Sequence, residues 1–340
     1  MRTVSAIIPF FQRERGILTR ALNSINSQHI PSGWFVEVVV VDDSSPCRVE
    51  DEIQGLSLRE SVALKIIRQK NGGPGAARNR GLDEADQSAS LIAFLDSDDT
   101  WPQLHLTNAI AAYEREFDFS FSDNRRELYH QSFIEAGARR TRTILRECAN
   151  EDGFIQLPEG EMPCLIIDEF PVHLSTLVYA RSVDPSLRFN NDLRMCGEDK
   201  LFMVALATKA KRICFNARSV VECGRGVNVF FSQLEWDSPS FMEIQKEQLE
   251  CHVLIGGVPG LSQKALFYNA KVLTDWRDNF AFHSIRRIIK DRGKIPAEAW
   301  HLAKTDRRFL SWFSSSLLRV IIGYLRGSYQ PYRPSAILPR

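Results

Sequence analysis

Three carboxylates fall within four positions of the segment LIAFLDSDDTWP, residues 91–102. Asp96, Asp98 and Asp99 follow an apolar run that predicts a buried strand. Like charges at this spacing repel one another, and an unpaired carboxylate is costly to bury. Carboxylates at positions i and i+2 can share a hard divalent cation that also accepts phosphate oxygens. The segment therefore predicts either a metal site or a solvated acidic turn at a helix start.

A second acidic turn and a glycine-rich segment add groups that suit a nucleotide. Asp42 and Asp43 follow the β-branched run FVEVVVV at 35–41. The segment NGGPGAARNRG, at 71–81, has glycines that allow a phosphate to approach closely, and it contains Arg78. It matches neither the P-loop pattern nor GxGxxG, which disfavours a P-loop NTPase and a dinucleotide-binding Rossmann domain. By itself, the segment is better explained as a loop and a first helical turn.

Two more carboxylates open the segment GEDK within a predicted helix at 194–210. Glu198 and Asp199 are explained either as partners of the helix dipole or as the source of a general base. His105 and His173 are predicted to be structural or solvent-facing groups and not metal ligands. The seven cysteines include no CxxC pair, so we expect reduced thiols and no structural zinc site.

The elements that must position these groups alternate along the first third of the chain. Strands are predicted at 3–8, 35–41, 62–68 and 91–95, and helices at 14–28, 75–86 and 102–117. This alternation indicates parallel strands joined by right-handed crossovers. Because ligands bind beyond the carboxyl ends of such strands, both acidic turns are expected at one edge of the sheet. Further strands are predicted at 117–123, 173–181 and 211–223, the last with an irregular break, and later helices at 239–256, 261–291 and 297–325.

Composition and charge disfavour several classes of protein. Hydrophobic residues make up 44% and charged residues 25% of the 340 residues, which is typical of a globular protein. The net charge of +1 disfavours a nucleic-acid partner. Residues 285–340, however, contain 12 Lys and Arg against 3 Asp and Glu. The N-terminal apolar run is too short for a signal peptide, and no apolar stretch reaches about 18 residues, so no spanning helix is expected.

Taken in order, five segments resemble blocks of family 2 glycosyltransferases with the GT-A fold. They are SAIIPFFQRERGILTRALNSINSQ, VEVVVVDDSS, KNGGPGAARNRGLDEA, LIAFLDSDDTWPQLHL and GEDKLF. The resemblance implies an α/β fold with a mostly parallel central sheet flanked by helices. It implies a GT-A domain at 1–235, with a nucleotide-binding half at 1–117 and an acceptor and catalytic-base half at 118–235. A helical, basic C-terminal region follows at 236–340.

The resemblance also implies a role for each matching residue of the nucleotide-binding half. Pro9 and Phe11 line the pocket for the base and ribose. Asp43 accepts a hydrogen bond from the base, and Arg78 lies close to the base or the diphosphate. The nucleotide-sugar site ends with the four residues of the DSDD turn, which are Asp96, Ser97, Asp98 and Asp99.

The same resemblance implies the metal ligands and the catalytic groups. Asp98 is the first choice as ligand of Mn²⁺ or Mg²⁺, Asp96 faces the metal region, and Asp99 helps to bind the metal or positions the sugar. Asp199 is the implied general base, with Glu198 beside it. The third ligand of the family, often a histidine, is not evident after GEDK, where Arg225 is a candidate for neutralising phosphate instead.

The function implied is inverting transfer of a single sugar from a nucleotide-diphosphate sugar, with UDP-sugars favoured. The QxxRW block of processive members is missing, which disfavours a synthase of long polymers. The implied acceptor is a saccharide or lipid-linked saccharide in the biosynthesis of a surface polysaccharide. A nucleotidyltransferase that makes a nucleotide sugar and an inactive glycosyltransferase-like binding protein are the alternatives. The expected location is cytoplasmic, with peripheral contact at the inner face of the membrane.

The basic C-terminal region has its own pair of explanations. Apolar residues of the segment 309–329 recur near one helical face, namely Leu310, Phe313, Leu317, Ile321 and Tyr324. Combined with the positive charge of 285–340, this pattern predicts contact with an anionic membrane surface. Ordinary packing of the helix, with its basic residues solvated, is the alternative.

Overall fold

The computed structural model describes residues 2–126, 132–224, 238 and 240–331. These residues divide into two compact units. The first unit contains the residues up to 194, those from 198 to 224, and 259–261. The second contains 195–197, the described residues from 238 to 258, and 262–331. The domain boundary expected at 235/236 and the residue Arg225 lie outside the described residues.

Eight strands of the first unit form one sheet in the order β3-β2-β1-β4-β7-β5-β8-β6. Their bounds are β1 (Arg2–Phe10), β2 (Trp34–Asp42), β3 (Val62–Arg68), β4 (Leu91–Phe94), β5 (Phe119–Arg126), β6 (Phe154–Gln156), β7 (Val178–Ala180) and β8 (Ile213–Cys223). Strands β3, β2, β1 and β4 are mutually parallel, as are β5 and β8. The pairs of β7 with β4 and β5, and of β6 with β8, are antiparallel. The mostly parallel sheet is therefore confirmed.

Helices flank this sheet and make up the described part of the second unit. Those of the first unit are α1 (Ile17–Asn26), α2 (Val49–Ile53), α3 (Pro74–Glu84), α4 (His105–Glu114), α5 (Phe133–Ala136), α6 (Arg139–Glu147), α7 (Glu161–Asp168) and α8 (Glu198–Lys209). Those of the second unit are α9 (Phe241–Gly256), α10 (Gln263–Lys290), α11 (Ala297–Thr305) and α12 (Phe309–Leu325). The helical C-terminal region is thus confirmed, whereas α2, β6 and α5–α7 were not predicted from the sequence.

The continuous apolar runs of the sequence form the centre of the sheet. Residues of β1, β2 and β4 are almost entirely buried, as expected for parallel strands that are covered on both faces. Leu18, Leu22 and Ile25 of α1 pack against one face of these strands. Ala77 of α3 packs in a separate cluster with Val39 and Val41 of β2. The sheet therefore provides a rigid base for the turns at its carboxyl edge.

Three predicted elements were wrong in extent because side chains cap or break them. Helix α4 begins at His105 and not at 102, because the Gln28 side chain donates to the carbonyl of Pro102 and accepts from the backbone N–H of Leu106. Only Val178–Ala180 of the strand expected at 173–181 pairs in the sheet. Residues 174–176 form a 3₁₀ turn, since the Thr176 hydroxyl donates to the His173 carbonyl.

The third correction concerns the last helix. The segment expected to be continuous at 297–325 divides into α11 and α12, because the Asp306 carboxylate accepts from Arg308 N–H and Trp312 Nε1. The irregular break expected in β8 is confirmed, since its register with β5 shifts between Ser122 and Asp123. In the described part of the chain, no helix is both long and apolar enough to cross a membrane.

Candidate active site

The acidic turn at the carboxyl end of β4 is fixed by the end of β8. The backbone of Thr100 pairs with Glu222 in a β-bridge. Gly224 lies so close to the turn that a Cβ atom there would collide with the carbonyl of Asp98. The N–H of Gly224 also donates to Oδ1 of Asp99 at 2.9 Å. Two segments far apart in the chain therefore set the conformation of one turn.

Arg78 on α3 bridges two carboxylates from different elements. Its Nη2 donates to Oδ1 of Asp96 at 2.7 Å, and its Nη1 donates to Oε1 of Glu198 at 3.0 Å. The Arg78 and Glu198 side chains are almost fully buried, and that of Asp96 is three-quarters buried. Buried charges are tolerated when they are paired and hydrogen-bonded in this way. The bridge joins the acidic turn to the first residue of α8.

The charged groups of this bridge shift one another's pKa values. Burial lowers the pKa of Arg78, but Asp96 and Glu198 outweigh it, so the pKa is raised and the guanidinium stays charged. Burial alone raises the pKa of Asp96, yet Arg78 and then His173 bring it below its ordinary value. Burial and then Asp199 raise the pKa of Glu198 to about 7, against the opposing effect of Arg78. Arg78 therefore keeps Asp96 ionised more firmly than Glu198.

Asp99 is the most deeply buried carboxylate of the turn. Its Oδ2 accepts from the hydroxyl of Ser175 at 2.6 Å, and that hydroxyl also accepts from the backbone N–H of Asp96 at 3.0 Å. Burial, followed by the charges of Asp98 and Asp96, raises the pKa of Asp99 to about 7, while His173 opposes the rise. Ser175 thus ties the two ends of the turn together.

Asp43 organises the glycine-rich loop that leads into α3. Its Oδ1 accepts from Gln69 Nε2 and from the N–H of Gly72, both at 2.8 Å, and its Oδ2 accepts from the N–H of Gly73 at 2.9 Å. Gly73 has φ 89°, in the left-handed region that favours glycine. A carboxylate has about four lone-pair sites, so one on Oδ2 remains for a further donor.

The other residues of the expected nucleotide site lie at the ends of the same strands. Pro9 and Phe11, at the end of β1, are half-buried and so reach the surface. Ser97 is buried, and its hydroxyl accepts from Gln12 Nε2 at 3.0 Å. Asp98 is half-buried and its carbonyl accepts from Arg20 at 3.4 Å. The expected nucleotide-site residues therefore lie at the carboxyl ends of β1, β2 and β4, at the expected edge of the sheet.

The two carboxylates at the start of α8 differ in their surroundings. Glu198 is buried against Arg78, as described above. Asp199 is half-buried, and its Oδ1 accepts from the N–H of Lys200 at 2.7 Å. A carboxylate must reach solvent or substrate to take up a proton, so only Asp199 has the exposure that a general base requires.

The two histidines behave differently from each other. His105 is buried and stacks on Trp101 with ring centroids 4.9 Å apart, and burial lowers its pKa to about 3, which agrees with a structural role. His173 instead lies beside the acidic turn. Its ring, Asp99 and Cys223 place ligand atoms within 4.8 Å of one another. Sequence reasoning did not find this contact, because HLSTLVYAR reads as a strand.

The donor atoms around the turn fit a divalent cation. Asp96 uses Oδ1 for Arg78, and its Oδ2 lies 3.9 Å from Nε2 of His173. Carboxylate oxygens and imidazole nitrogen suit Mn²⁺, and oxygens suit Mg²⁺. Burial raises the pKa of the Cys223 thiol, which disfavours the thiolate that a soft metal requires.

The sheet and the turns at its edge define the class of protein to which the chain belongs. A twisted sheet whose parallel strands end in acidic and glycine-rich turns is an α/β fold with a ligand site beyond the carboxyl ends of the strands. Residues 5–154 match the family model described as glycosyl transferase family 2. The chain is also 35% identical over 248 residues to the succinoglycan biosynthesis protein ExoW of Rhizobium meliloti (strain 1021). That alignment covers 72% of this chain and 76% of ExoW. The chain belongs to glycosyl transferase family 2 and is a glycosyltransferase.

Solved structures are similar to the whole described fold. Staphylococcus aureus TarS 1–349 in complex with UDP-GlcNAc aligns with a TM-score of 0.59 and 20% identity, over 97% of this chain and 93% of that chain. The mannosyltransferase PcManGT from Pyrobaculum calidifontis, in complex with GDP-Man and Mn²⁺, aligns with a TM-score of 0.52 and 17% identity, over 96% and 88%. At these identities the likeness concerns the fold alone, and it confirms the expected GT-A fold.

Proposed function

We propose that the chain transfers one sugar from a UDP-sugar, with inversion, to a saccharide or lipid-linked saccharide acceptor during assembly of a surface polysaccharide. The printed role of ExoW in succinoglycan biosynthesis supports the acceptor class. The complex of TarS with UDP-GlcNAc supports the nucleotide. The observation that carries the proposal is the Arg78 bridge, which holds the acidic turn and the start of α8 in one unit.

The nucleotide half of the donor is assigned to the ends of β1 and β2. Pro9 and Phe11 line the base and ribose, and the remaining lone pair of Asp43 accepts a hydrogen bond from the base. Arg78 lies near the diphosphate and keeps Asp96 ionised. Ser97, held by Gln12, positions the backbone of the turn. Asp43, Arg78 and Ser97 are already held by hydrogen bonds, so little of their conformational entropy is lost when the donor binds.

Asp98 and Asp96, with Asp99 behind them, are the groups that would hold Mn²⁺ or Mg²⁺ in this unit. Such a cation supplies positive charge that stabilises the leaving diphosphate. Asp98 is half-buried, whereas Asp99 is buried and held by Ser175 and Gly224. Asp98 would be the ligand that contacts the cation directly, and Asp99 would fix the turn that presents it.

Asp199 is proposed as the general base, with Glu198 as its buried neighbour. Asp199 removes the proton from the acceptor hydroxyl as the oxygen attacks the anomeric carbon. The leaving diphosphate departs from the opposite face, which inverts the configuration. Glu198 cannot move freely because Arg78 holds its Oε1, so it positions the start of α8.

Nucleotide binding is expected to raise the thermal stability of the protein only in the presence of a divalent cation. A ligand that binds the folded state stabilises it by about 2.7 kcal/mol at 100 times its Kd. In a panel of UDP, GDP, CDP and dTDP, with and without Mn²⁺, we expect the largest rise in Tm for UDP with Mn²⁺. Asp98→Ala should abolish the Mn²⁺-dependent part of the rise.

Two results of that panel would count against the proposal. A larger rise with GDP than with UDP would reassign the donor nucleotide. An unchanged Mn²⁺ effect in Asp98→Ala would remove Asp98 from the cation site. The matched control is Asp192→Ala, which removes an exposed carboxylate of the same unit and should keep the full effect.

The outer face of α12 is proposed to contact the cytoplasmic face of an anionic membrane, next to a lipid-linked acceptor. Helix α12 buries Phe309, Trp312 and Val320 on one side. Its other side exposes Leu310 by 75%, Ile321 by 55% and Leu325 by 80%, three residues that share one face at helical spacing. The positive charge of 285–340 complements anionic lipid headgroups.

Binding to vesicles should therefore depend on this face. We expect the protein to float with vesicles that contain phosphatidylglycerol and to float less with neutral phosphatidylcholine vesicles. The double variant Ile321→Glu/Leu325→Glu should bind at least about tenfold more weakly, because each large apolar side chain contributes about 1.5–3 kcal/mol when buried. Val253→Glu changes an exposed apolar residue of α9 and is the control. Equal binding by the double variant would mean that the face is only a solvated helix surface.

A further inference from the structure

The chain lacks a histidine at the position where its family often has a third metal ligand. No histidine occurs between residues 174 and 251, so none follows the GEDK segment within about 50 residues. The acidic turn therefore needs a donor from elsewhere if its cation is to have a nitrogen ligand. His173, which precedes the 3₁₀ turn before β7, is the histidine that the described structure brings to this turn.

The His173 ring lies between two carboxylates of the turn. Its Nε2 is 3.9 Å from Oδ2 of Asp96, and its Nδ1 is 3.5 Å from Oδ2 of Asp99. A separation of 3.9 Å is too long for a hydrogen bond. Two metal–ligand bonds of about 2.1 Å span up to about 4.2 Å, so Nε2 and Oδ2 of Asp96 are close enough to bind the same ion.

The surroundings of the ring favour one orientation for such a ligand. A histidine that binds a metal through one nitrogen usually donates the N–H of the other to a carboxylate, which fixes the ring. Asp99 is buried and held by Ser175 and Gly224, and its Oδ2 faces Nδ1. The backbone N–H of Ser175, 3.3 Å away, donates to the same nitrogen when Nδ1 is unprotonated. Metal binding by Nε2 places the ring proton on Nδ1 instead, where Asp99 accepts it.

We propose that His173 completes the cation site through Nε2, beside Asp98 and Asp96, and that Asp99 positions the ring through Nδ1. This inference rests on the proposed metal-dependent glycosyltransferase function. It adds a ligand that comes from before β7 and not from after the general base. The side chain of His173 is 28% exposed, so a cation can reach the ring from solvent.

Binding of Mn²⁺ itself tests the inference without relying on turnover. Mn²⁺ is titrated into the full chain, with and without UDP, and the free Mn²⁺ that remains is measured by electron paramagnetic resonance. We expect His173→Ala to weaken Mn²⁺ binding by about 10–100-fold, the range seen when groups that support a metal site are removed. His173→Asn should weaken it to a similar extent, because Oδ1 of asparagine can replace Nδ1 as the acceptor for Ser175 N–H while no ligand atom remains at the position of Nε2. His29→Ala removes an exposed histidine and should bind Mn²⁺ like the parent protein.

The outcomes separate this inference from the proposed function. If Asp98→Ala loses Mn²⁺ while both His173 variants bind it within about twofold of the parent, His173 is not a ligand and the metal site at the turn stands. If the parent protein does not bind Mn²⁺ even with UDP, the metal site and the inference both fail. Far-ultraviolet circular dichroism and the Tm of each variant establish that a loss of Mn²⁺ does not reflect unfolding. A selective loss in both His173 variants supports the ligand.

Discussion

Asp199→Asn is expected to lower kcat for sugar transfer by about 10²–10⁴-fold, the usual contribution of a positioned general base. Asparagine preserves the size of the side chain and one oxygen for the N–H of Lys200, so the start of α8 should keep its conformation. What is lost is the basic oxygen that takes the proton of the acceptor hydroxyl. The measurement is the rate of UDP release in the presence of acceptor, together with the Kd for UDP.

The pattern across these parameters distinguishes a base from a structural residue. Donor binding should stay within about twofold of the parent value, because an interaction made only in the transition state affects kcat and not ground-state binding. Asp192→Asn, an exposed carboxylate near the same helix, should leave both parameters unchanged. If Asp199→Asn retained most of the activity, the base would have to be sought elsewhere. A matching loss of UDP affinity would instead indicate a role in holding the donor site together.

Arg78→Ala is expected to lower the free energy of unfolding by about 3–5 kcal/mol, the typical cost of removing one partner from a buried ion pair. Its guanidinium is shared by Asp96 and Glu198, and both carboxylates remain in the interior after the substitution. Arg80→Ala on the same helix removes an exposed pair with Glu84 and should cost at most about 1 kcal/mol. Urea denaturation of the three proteins measures the difference.

The loss of unfolding free energy in Arg78→Ala should also depend on pH in a defined direction. In the parent protein, the pKa of Asp96 lies below its ordinary value, so its contribution to stability is present at neutral pH and is lost as the pH falls. Without Arg78, burial raises the pKa of both Asp96 and Glu198 above their unfolded values. Stability then falls as the pH rises, so the difference between Arg78→Ala and the parent should be larger at about pH 8 than at about pH 5. A difference that does not change with pH would mean that lost packing, and not unpaired charge, dominates.

Much of the nucleotide-binding half could be predicted from the sequence because its signals are local. The β-branched run at 35–41 and the apolar run at 91–95 are continuous, so burial on both faces follows from composition alone. The same reasoning placed Asp43 and Asp96 at one edge of the sheet, since parallel strands end at the same side. The resemblance added the roles of Asp98 and Asp199, which stay predictions until the variants are measured.

The bounds of other elements were less predictable because side-chain hydrogen bonds decide them. Gln28 delays the start of α4, and Asp306 separates α11 from α12. Gln28 lies far from the segment 102–117 that it affects, and the periodicity of the apolar residues in 297–325 does not show the break at Asp306. The antiparallel insertion of β7 between β4 and β5 likewise depends on pairing between strands more than 50 residues apart.

The sequence by itself determined the order of β1–β4 and of helices α1, α3 and α4, the edge at which the carboxylates gather, and the positive charge of the C-terminal region. It did so because burial, chain direction and charge are properties of local composition. Only the tertiary structure decided that Arg78 is shared by Asp96 and Glu198, and that His173 lies against the acidic turn. These contacts join residues 120 and 77 positions apart, and the distance between them depends on how the strands pack and not on any spacing in the chain.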